Sequence, residues 1–430
     1  MRFLFAIFIF FSFCRSGTAG ADYARELNDK LTAEFSAELK KTETGRQTAA
    51  RFGGKQGEKY GLPPFFLQAG KSAQLAWFDP SARSIYFNTR HINSFFGVRG
   101  YSSERTARAL LTAEKARRDF VKSADALYLH ELVHAAQADA YPDYSLDNPP
   151  GRAVEFEYEA YLTENLYFHE KMRKNPGLLK KFLKEGYPDA YMEHALNSYR
   201  ALSLDMEEYK ETIRKLYKAD ESDYYTLEKA MEIQTGRVEE GKILAYASGD
   251  VGGYARKIAG LDALETQKAA YDAYLSGFYR ERWPAFSADA LIFMGTAALD
   301  AGSYPLALQC LAVADEAGQK SGLGQDRMEE LRRKGALAIL QAAAFIRDRH
   351  KKMKLYALSE HLKALDRACE KTGRPFPDDL KQLRDKTYPK AAGFYAKMAG
   401  KQKNPVSEDY YKKGAEFFKK KLSEQNETGR

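Results

Sequence analysis

The apolar positions of the chain change their spacing several times, and these changes predict its elements. Residues 22–60 are polar with a helical pattern that is clearest over Asp22–Leu39. Two short runs rich in aromatic and branched side chains follow, Gln74–Phe78 and Ser84–Asn88, and Asp79–Arg83 separates them. Runs of this composition around a turn-forming segment predict a β-hairpin.

Most of the remaining chain has the apolar spacing of helices. Helical patterns cover about Ser103–Val121, Ala124–Ala140 and Ala153–Met172, and nearly everything after them is helical as well. We therefore predict a mainly α fold, α+β overall, with a small β-hairpin or sheet. A soft domain boundary near residue 200 would separate a domain over 22–200 from an all-helical domain over 201–430.

One segment of the helical half has a repeat-like pattern. Residues 288–319 show two amphipathic helices joined at Gly302-Ser303. The segment resembles a tetratricopeptide repeat of about 34 residues, because small and apolar side chains stand at that repeat's packing positions: Gly295, Gly302, Tyr304, Ala307, Leu311 and Ala314. Such a repeat would imply a protein partner for the helical region. An ordinary helical hairpin would show the same small residues, so both interpretations stay open.

The N-terminus has the pattern of a secretory signal. Arg2 precedes the apolar run Phe3–Phe13, and small residues end the segment at Ala19-Gly20-Ala21. We predict cleavage after Ala21 and an exported protein, periplasmic or secreted. Cys14 offers a lipoprotein signal as an alternative, although Phe13 before it is a poor fit. No other stretch predicts a membrane span.

Composition narrows the classes of function. The 430 residues are 44% hydrophobic, which suits a folded chain of more than one domain. The net charge of +8 comes without a compact basic and aromatic module, so we predict no nucleic-acid partner. Cys310 and Cys369 are the only cysteines after the predicted signal, which excludes a disulfide framework.

The strongest chemical signal is the run Leu129–Gln137, Leu-His-Glu-Leu-Val-His-Ala-Ala-Gln. His130 and His134 stand four positions apart, so their rings share one face of a helix and can bind one metal ion. Glu131 is then placed to act on a water molecule at such an ion. The alternative is a helix whose two histidines are satisfied by hydrogen bonds alone.

A catalytic zinc site needs a third protein ligand, and the next predicted helix is rich in acids. Glu155 and Glu159 share one face of that helix, whereas Glu157 and Glu164 share the opposite face. Both faces also carry apolar residues. Helical geometry alone therefore does not choose between them.

The arrangement resembles the gluzincin metallopeptidases over residues 65–175. The resemblance implies a zincin-like domain, a Zn²⁺ cofactor, and a glutamate of the following helix as the third ligand. In several gluzincins a small residue stands three positions after that glutamate, and Glu157 with Ala160 fits this pattern. The resemblance therefore favours Glu157 and leaves Glu159 as the alternative.

The same resemblance implies roles for other residues. His130, His134 and Glu157 would be the metal ligands, and Glu131 would be the catalytic general base. An edge strand that precedes the helix of His130 and His134 would align an extended substrate, and Ser84–Asn88 precedes that helix in the chain. A purely structural hairpin fits that segment equally well.

Two roles stay open at this stage. Tyr161, His169 and His194 are candidates for the group that stabilises the oxyanion, and no spacing rule selects among them. Position 161 is Tyr where some gluzincins have an Asp that orients a histidine. The partner that orients His130 is therefore unassigned.

Together these patterns predict an exported zinc-dependent metallopeptidase that hydrolyses peptide bonds of a peptide or protein substrate. Two alternatives remain: a helical protein-binding scaffold with an inactive zincin-like domain, and a zinc amidase that acts on cell-wall peptides. The intact Glu131 argues against the scaffold, because a purely structural zinc site has no use for that carboxylate.

Overall fold

The computed structural model describes most of the chain outside the N-terminus and a long central stretch. The described residues are 18–52, 61–68, 75–96, 102–140, 154–200, 202, 209, 212–213, 283, 285–320, 322–402 and 405–428. The fold is mainly helical with a small three-stranded sheet. Most of the predicted signal, residues 1–17, lies outside the described residues, so its processing stays a prediction.

The elements are numbered here in chain order. The N-terminal helices are α1 Thr18–Leu39, α2 Glu43–Ala50, α3 Thr89–Ile92, α4 Ser103–Thr112, α5 Glu114–Ala140, α6 Val154–Lys174, α7 Pro176–Glu185 and α8 Ala190–Arg200. The strands are β1 Phe65–Gln68, β2 Ala76–Asp79 and β3 Ser84–Asn88. The later helices are α9 over 285–300, and α10 Tyr304–Lys320, α11 Gln325–Arg349, α12 Leu355–Lys371, α13 Asp378–Ala399 and α14 Pro405–Thr428. No described helix combines the length and the apolar character needed to cross a membrane.

The predicted hairpin is confirmed, but the predicted edge strand is wrong. β2 and β3 pair antiparallel, with Trp77 opposite Tyr86. β1, which the sequence patterns missed, pairs parallel to β3 on its other side, so the order is β1-β3-β2. β3 is therefore the central strand, and β2 forms the edge of the described sheet beside α5. Ser84–Asn88 cannot serve as the edge, because both of its sides are already paired.

The hairpin turn is fastened to the end of α5. Arg83, in the turn between β2 and β3, has a left-handed backbone with φ of 47°. Its guanidinium donates to both carboxylate oxygens of Asp139, with Nε to Oδ1 at 2.8 Å and Nη2 to Oδ2 at 2.7 Å. A bidentate pair of this kind fixes orientation as well as distance, so β2 is held at a defined position along α5.

Helix α5, which carries His130 and His134, is longer than the sequence patterns predict. The break falls at Ala113 rather than after Val121, and α5 runs without interruption from Glu114 to Ala140. Arg117, which is 3% exposed, explains where α4 ends. Its Nη1 donates to the carbonyl oxygens of Leu110 and Leu111, at 2.8 Å and 3.2 Å, and so satisfies carbonyls at the C-terminus of α4.

The N-terminal helix belongs to the core around α5. Leu31 and Phe35 of α1 are fully buried. The Phe35 ring stacks on Tyr128 of α5 with centroids 4.4 Å apart, and it also contacts Phe87 of β3. Helix α1 thus packs against both α5 and the sheet.

The predicted helical hairpin over residues 288–319 is present as α9 and α10. Gly302 makes the turn with φ of +73°, a conformation that favours glycine. At Gly295 the helices approach so closely that a Cβ would lie 2.8 Å from Leu311 Cγ.

The buried apolar residues form two cores. One apolar core runs from Leu27 to Cys310 and a second from Leu308 to Phe418. The domain boundary near residue 200 stays a prediction.

Candidate metal centre

One turn of α5 brings two imidazole rings together. His130 and His134 are 4% and 6% exposed, and their Nε2 atoms lie 3.1 Å apart. The apolar side chains around them pack into the core, which explains why this stretch is buried on nearly all sides: Leu127, Leu129, Leu132, Val133 and Ala136. The spacing of four residues therefore produces the convergence that the sequence predicts.

Helix α6 brings one carboxylate to the two rings. Glu157 Oε2 lies 3.3 Å from His130 Nε2 and 3.3 Å from His134 Nε2. Glu157 is itself buried, and one ligand atom from each of these three residues lies within 4.8 Å of the other two. Among the described residues, these three form a buried group that can hold a metal ion.

A second glutamate of α6 orients the first histidine. His130 Nδ1 lies 3.0 Å from Glu164 Oε2, and Glu164 is fully buried. An ionised carboxylate only accepts hydrogen bonds, so His130 carries a proton on Nδ1 and directs Nε2 toward Glu157. Burial would raise the pKa of Glu164, but His194 and His130 outweigh it and lower that pKa. Glu164 thus fills the role that the sequence left unassigned, seven residues after Glu157.

The second histidine is oriented through an amide. His134 Nδ1 lies 2.9 Å from Gln137 Oε1, and Gln137 Nε2 donates to Glu159 Oε2 at 2.8 Å. Arg51 Nη1 contacts the other oxygen of Glu159 at 3.0 Å. Glu159, the alternative third ligand, is therefore engaged with Gln137 and Arg51 rather than with the Nε2 atoms. The side chain of Glu155 lies outside the described residues.

The convergent atoms make an acceptor-rich cluster. With Nδ1 protonated on both histidines, the two Nε2 lone pairs and Glu157 Oε2 face one another at 3.1–3.3 Å without a proton between them. Such a cluster needs either an added proton or a cation. Burial opposes protonation of His130, but its hydrogen bonds to Glu157 and Glu164 and the charges of both carboxylates outweigh burial and raise its pKa to about 10. The donor set of two imidazoles and one carboxylate fits a divalent metal ion.

Glu131 lies beside this cluster on the side of the edge strand. The residue is 5% exposed, and its carboxylate accepts a hydrogen bond from the backbone of Phe78 in β2. Burial raises the pKa of Glu131, and the charge of Glu157 adds to that rise, while both histidines and the Phe78 bond oppose it. A buried carboxyl with a raised pKa suits proton transfer near neutral pH.

The three oxyanion candidates are separated by the fold. The Tyr161 ring lies edge-on to the His130 ring, with centroids 4.7 Å apart. His194 Nε2 is 3.3 Å from Glu164 Oε1, at ion-pair distance but without hydrogen-bond geometry, so it stands behind Glu164. His169 binds Tyr199 through Nδ1 and Asp289 through Nε2, about 18 Å along α6 from Glu157. His169 is therefore the wrong candidate for the oxyanion, and Tyr161 is the candidate whose ring contacts His130.

Sequence reasoning missed two residues of this centre. Gln137 stands in the quoted run around the histidines, three positions after His134, but no spacing rule marks it. Arg51 lies 108 positions before Glu159 and carries no local signal.

Comparison of the chain with protein-family models, with curated proteins and with solved structures finds no match.

Proposed function

We propose that this protein is an exported zinc-dependent metallopeptidase of the gluzincin type. The observation that carries the proposal is the buried convergence of His130, His134 and Glu157 with Glu131 next to it. A purely structural site would not need a second carboxyl beside the three convergent side chains. The export signal in the sequence supports a periplasmic or secreted location.

Zinc is the ion that best suits this donor set. Two imidazoles and one carboxylate are a common ligand combination of catalytic zinc, which keeps a fourth position for water or substrate. Bound zinc would activate a water molecule and polarise the scissile carbonyl. Sites that bind Mg²⁺ or Ca²⁺ are instead dominated by oxygen ligands, which this group is not.

Glu131 is the residue that would move the proton. Its carboxylate would accept a proton from the attacking water and pass it to the nitrogen of the leaving amine. Its raised pKa allows it to hold that proton between the two steps. The hydrogen bond from Phe78 links the carboxylate of Glu131 to β2, and His130, His134 and Glu157 lie close enough to shift its pKa.

The edge strand is suited to bind an extended peptide. Asn88 N–H donates to Leu75 O at 2.9 Å, so Leu75, Trp77 and Asp79 are the residues of this strand that bond to β3. The main-chain groups of Ala76 and Phe78 therefore point away from β3, toward the side of β2 that faces α5. The N–H of Phe78 already donates to Glu131, so an extended substrate would pair with Ala76 and place one of its amide bonds beside Glu131.

The helical region is the basis of a second part of the proposal, a unit that binds a protein partner. The α9–α10 hairpin has the close approach at Gly295 and the left-handed turn at Gly302 that a tetratricopeptide-like unit requires. We assign it as one such unit, with a protein partner as its expected ligand. The later helices α11, α13 and α14 have 25, 22 and 24 residues, too long for the paired helices of a repeat of about 34 residues, so the assignment is confined to the α9–α10 hairpin.

The direct test is hydrolysis of a peptide library by the purified, zinc-loaded chain, read by mass spectrometry. We expect cleavage of internal amide bonds that a chelator abolishes and added Zn²⁺ restores. Cleavage confined to cell-wall peptides would replace the peptidase with an amidase. Zinc-loaded protein that cleaves neither substrate would contradict an enzymatic role and favour the scaffold.

A further inference from the structure

We propose that Arg51 is a positioning residue for the metal centre, acting on His134 through Glu159 and Gln137. This inference rests on the proposed metal site. Arg51 directly follows α2, outside the segment that resembles metallopeptidases, and its guanidinium contacts Glu159, which is not one of the three convergent side chains. Its effect would be to keep the His134 Nε2 lone pair directed at the ion.

The direction of each hydrogen bond along the chain of contacts follows from Glu159. An ionised carboxylate can only accept, so the Gln137 group 2.8 Å from Glu159 Oε2 is the amide NH₂. The amide oxygen of Gln137 then faces His134 Nδ1 at 2.9 Å. Nδ1 must therefore carry the ring proton, which leaves Nε2 as the metal-binding atom. A reversed amide would present NH₂ to Nδ1 and favour the wrong tautomer.

Arg51 supplies the charge that keeps Glu159 in place. Glu159 is 3% exposed, and a carboxylate at such a site needs a charged or hydrogen-bonding partner. Arg51 Nη1 contacts Glu159 Oε1 at 3.0 Å, so the two oxygens of Glu159 are divided between Arg51 and Gln137. Without the guanidinium, Glu159 would lose the contact that fixes its orientation, and the amide of Gln137 would lose its fixed acceptor.

Helix α2 is held so that Arg51 reaches this carboxylate. At the other end of α2, Glu170 of α6 accepts hydrogen bonds from the backbone N–H of Glu43 at 2.6 Å and of Thr44 at 3.2 Å. A carboxylate at a helix N-terminus satisfies free N–H groups and complements the helix dipole. Helix α2 is thereby attached to α6 at both ends, by Glu170 and by the Arg51–Glu159 pair.

The two histidines are oriented by separate sets of residues. Glu164 contacts His130 directly, whereas His134 depends on the three-residue chain Gln137–Glu159–Arg51. Changes at Arg51 should therefore disturb one ligand and leave the other in place. This predicts a weakened metal site with altered geometry rather than complete loss of the metal.

The test compares Arg51→Met, Arg51→Lys, Gln137→Leu and the double variant Arg51→Met/Gln137→Leu. The matched control is Arg46→Met on helix α2, because the Arg46 side chain is 52% exposed and contacts Glu43 and the carbonyl oxygen of Lys40, both close to it in the chain. Two readouts are measured: the dissociation constant for Zn²⁺ by chelator competition, and the visible spectrum of the Co²⁺-substituted protein, which reports ligand geometry. Thermal unfolding of the metal-free proteins controls for stability.

We expect Gln137→Leu to weaken Zn²⁺ binding by about 10- to 100-fold and Arg51→Met by about tenfold, each with a changed Co²⁺ spectrum. The double variant should be no weaker than Gln137→Leu, because Arg51 acts through Gln137. Arg51→Lys should recover most of the affinity, and Arg46→Met should match the wild type. Unchanged affinity and spectrum in Arg51→Met, or additive losses in the double variant, would overturn the inference. A wild-type chain that binds neither Zn²⁺ nor Co²⁺ would instead overturn the metal site itself.

Discussion

Replacement of Glu131 by Gln is expected to abolish most hydrolysis while leaving the metal in place. Glutamine keeps the shape of the side chain but cannot accept a proton, and general-base catalysis contributes about 10²- to 10⁴-fold to a rate. Glu131 is not one of the three convergent ligands, so His130, His134 and Glu157 remain to bind the ion. We therefore expect kcat to fall by about this factor with near-normal zinc content.

The matched control for this variant is Glu114→Gln. Glu114 lies in the first turn of the same helix, with a side chain that is 61% exposed, so its replacement changes charge without touching the centre. We expect wild-type turnover from it. Full activity in Glu131→Gln would show that the proton is taken elsewhere, and loss of zinc in that variant would show that Glu131 acts on the metal rather than on the substrate.

The apparent affinity for Zn²⁺ is expected to rise steeply with pH. In the metal-free protein, Glu157 and Glu164 raise the pKa of His130 to about 10, against the effect of burial. The ion and this proton compete for the same cluster, so binding must release the proton. Each unit of pH below about 10 then costs about tenfold in apparent affinity, or about a thousandfold between about pH 6 and 9. Chelator competition across that range measures the slope.

The control for the pH dependence is Glu164→Gln. It removes one of the two carboxylates that raise the pKa of His130, so the proton is lost at lower pH and the slope should flatten at the alkaline end. A proton count from calorimetry in two buffers should agree with the slope. Affinity that is independent of pH would mean that the metal-free cluster holds no extra proton.

The local patterns of the sequence were sufficient for the centre's main parts. The spacing of His130 and His134 depends only on neighbouring positions of α5, whereas Glu157 was favoured over Glu159 by the resemblance to gluzincins, through the small residue three positions after it. The structure brings these three side chains together. The hairpin of β2 and β3 was also predictable, since its turn and its two runs are contiguous.

The remaining parts depend on contacts between distant segments. β1 is four residues long and follows two prolines, so it has no local strand signal, yet its pairing makes β3 central and β2 the edge. His169 was one of three candidates that no spacing rule separated, and its contact with Asp289, 120 positions away, was not visible in the sequence. Arg51 likewise could not be found from local patterns, because its partner Glu159 lies 108 positions later in the chain. Glu164 differs, because it shares the face of Glu157 and could have been chosen from the helical period.

Metal content of the purified chain shows whether His130, His134 and Glu157 together bind one ion. Wild type, Glu157→Ala and Glu159→Ala are reconstituted with a slight excess of Zn²⁺, and bound zinc is counted per chain. We expect about one ion in the wild type and in Glu159→Ala, and loss of that ion in Glu157→Ala. A wild-type chain without zinc, or zinc that is lost with Glu159 and kept without Glu157, would contradict it.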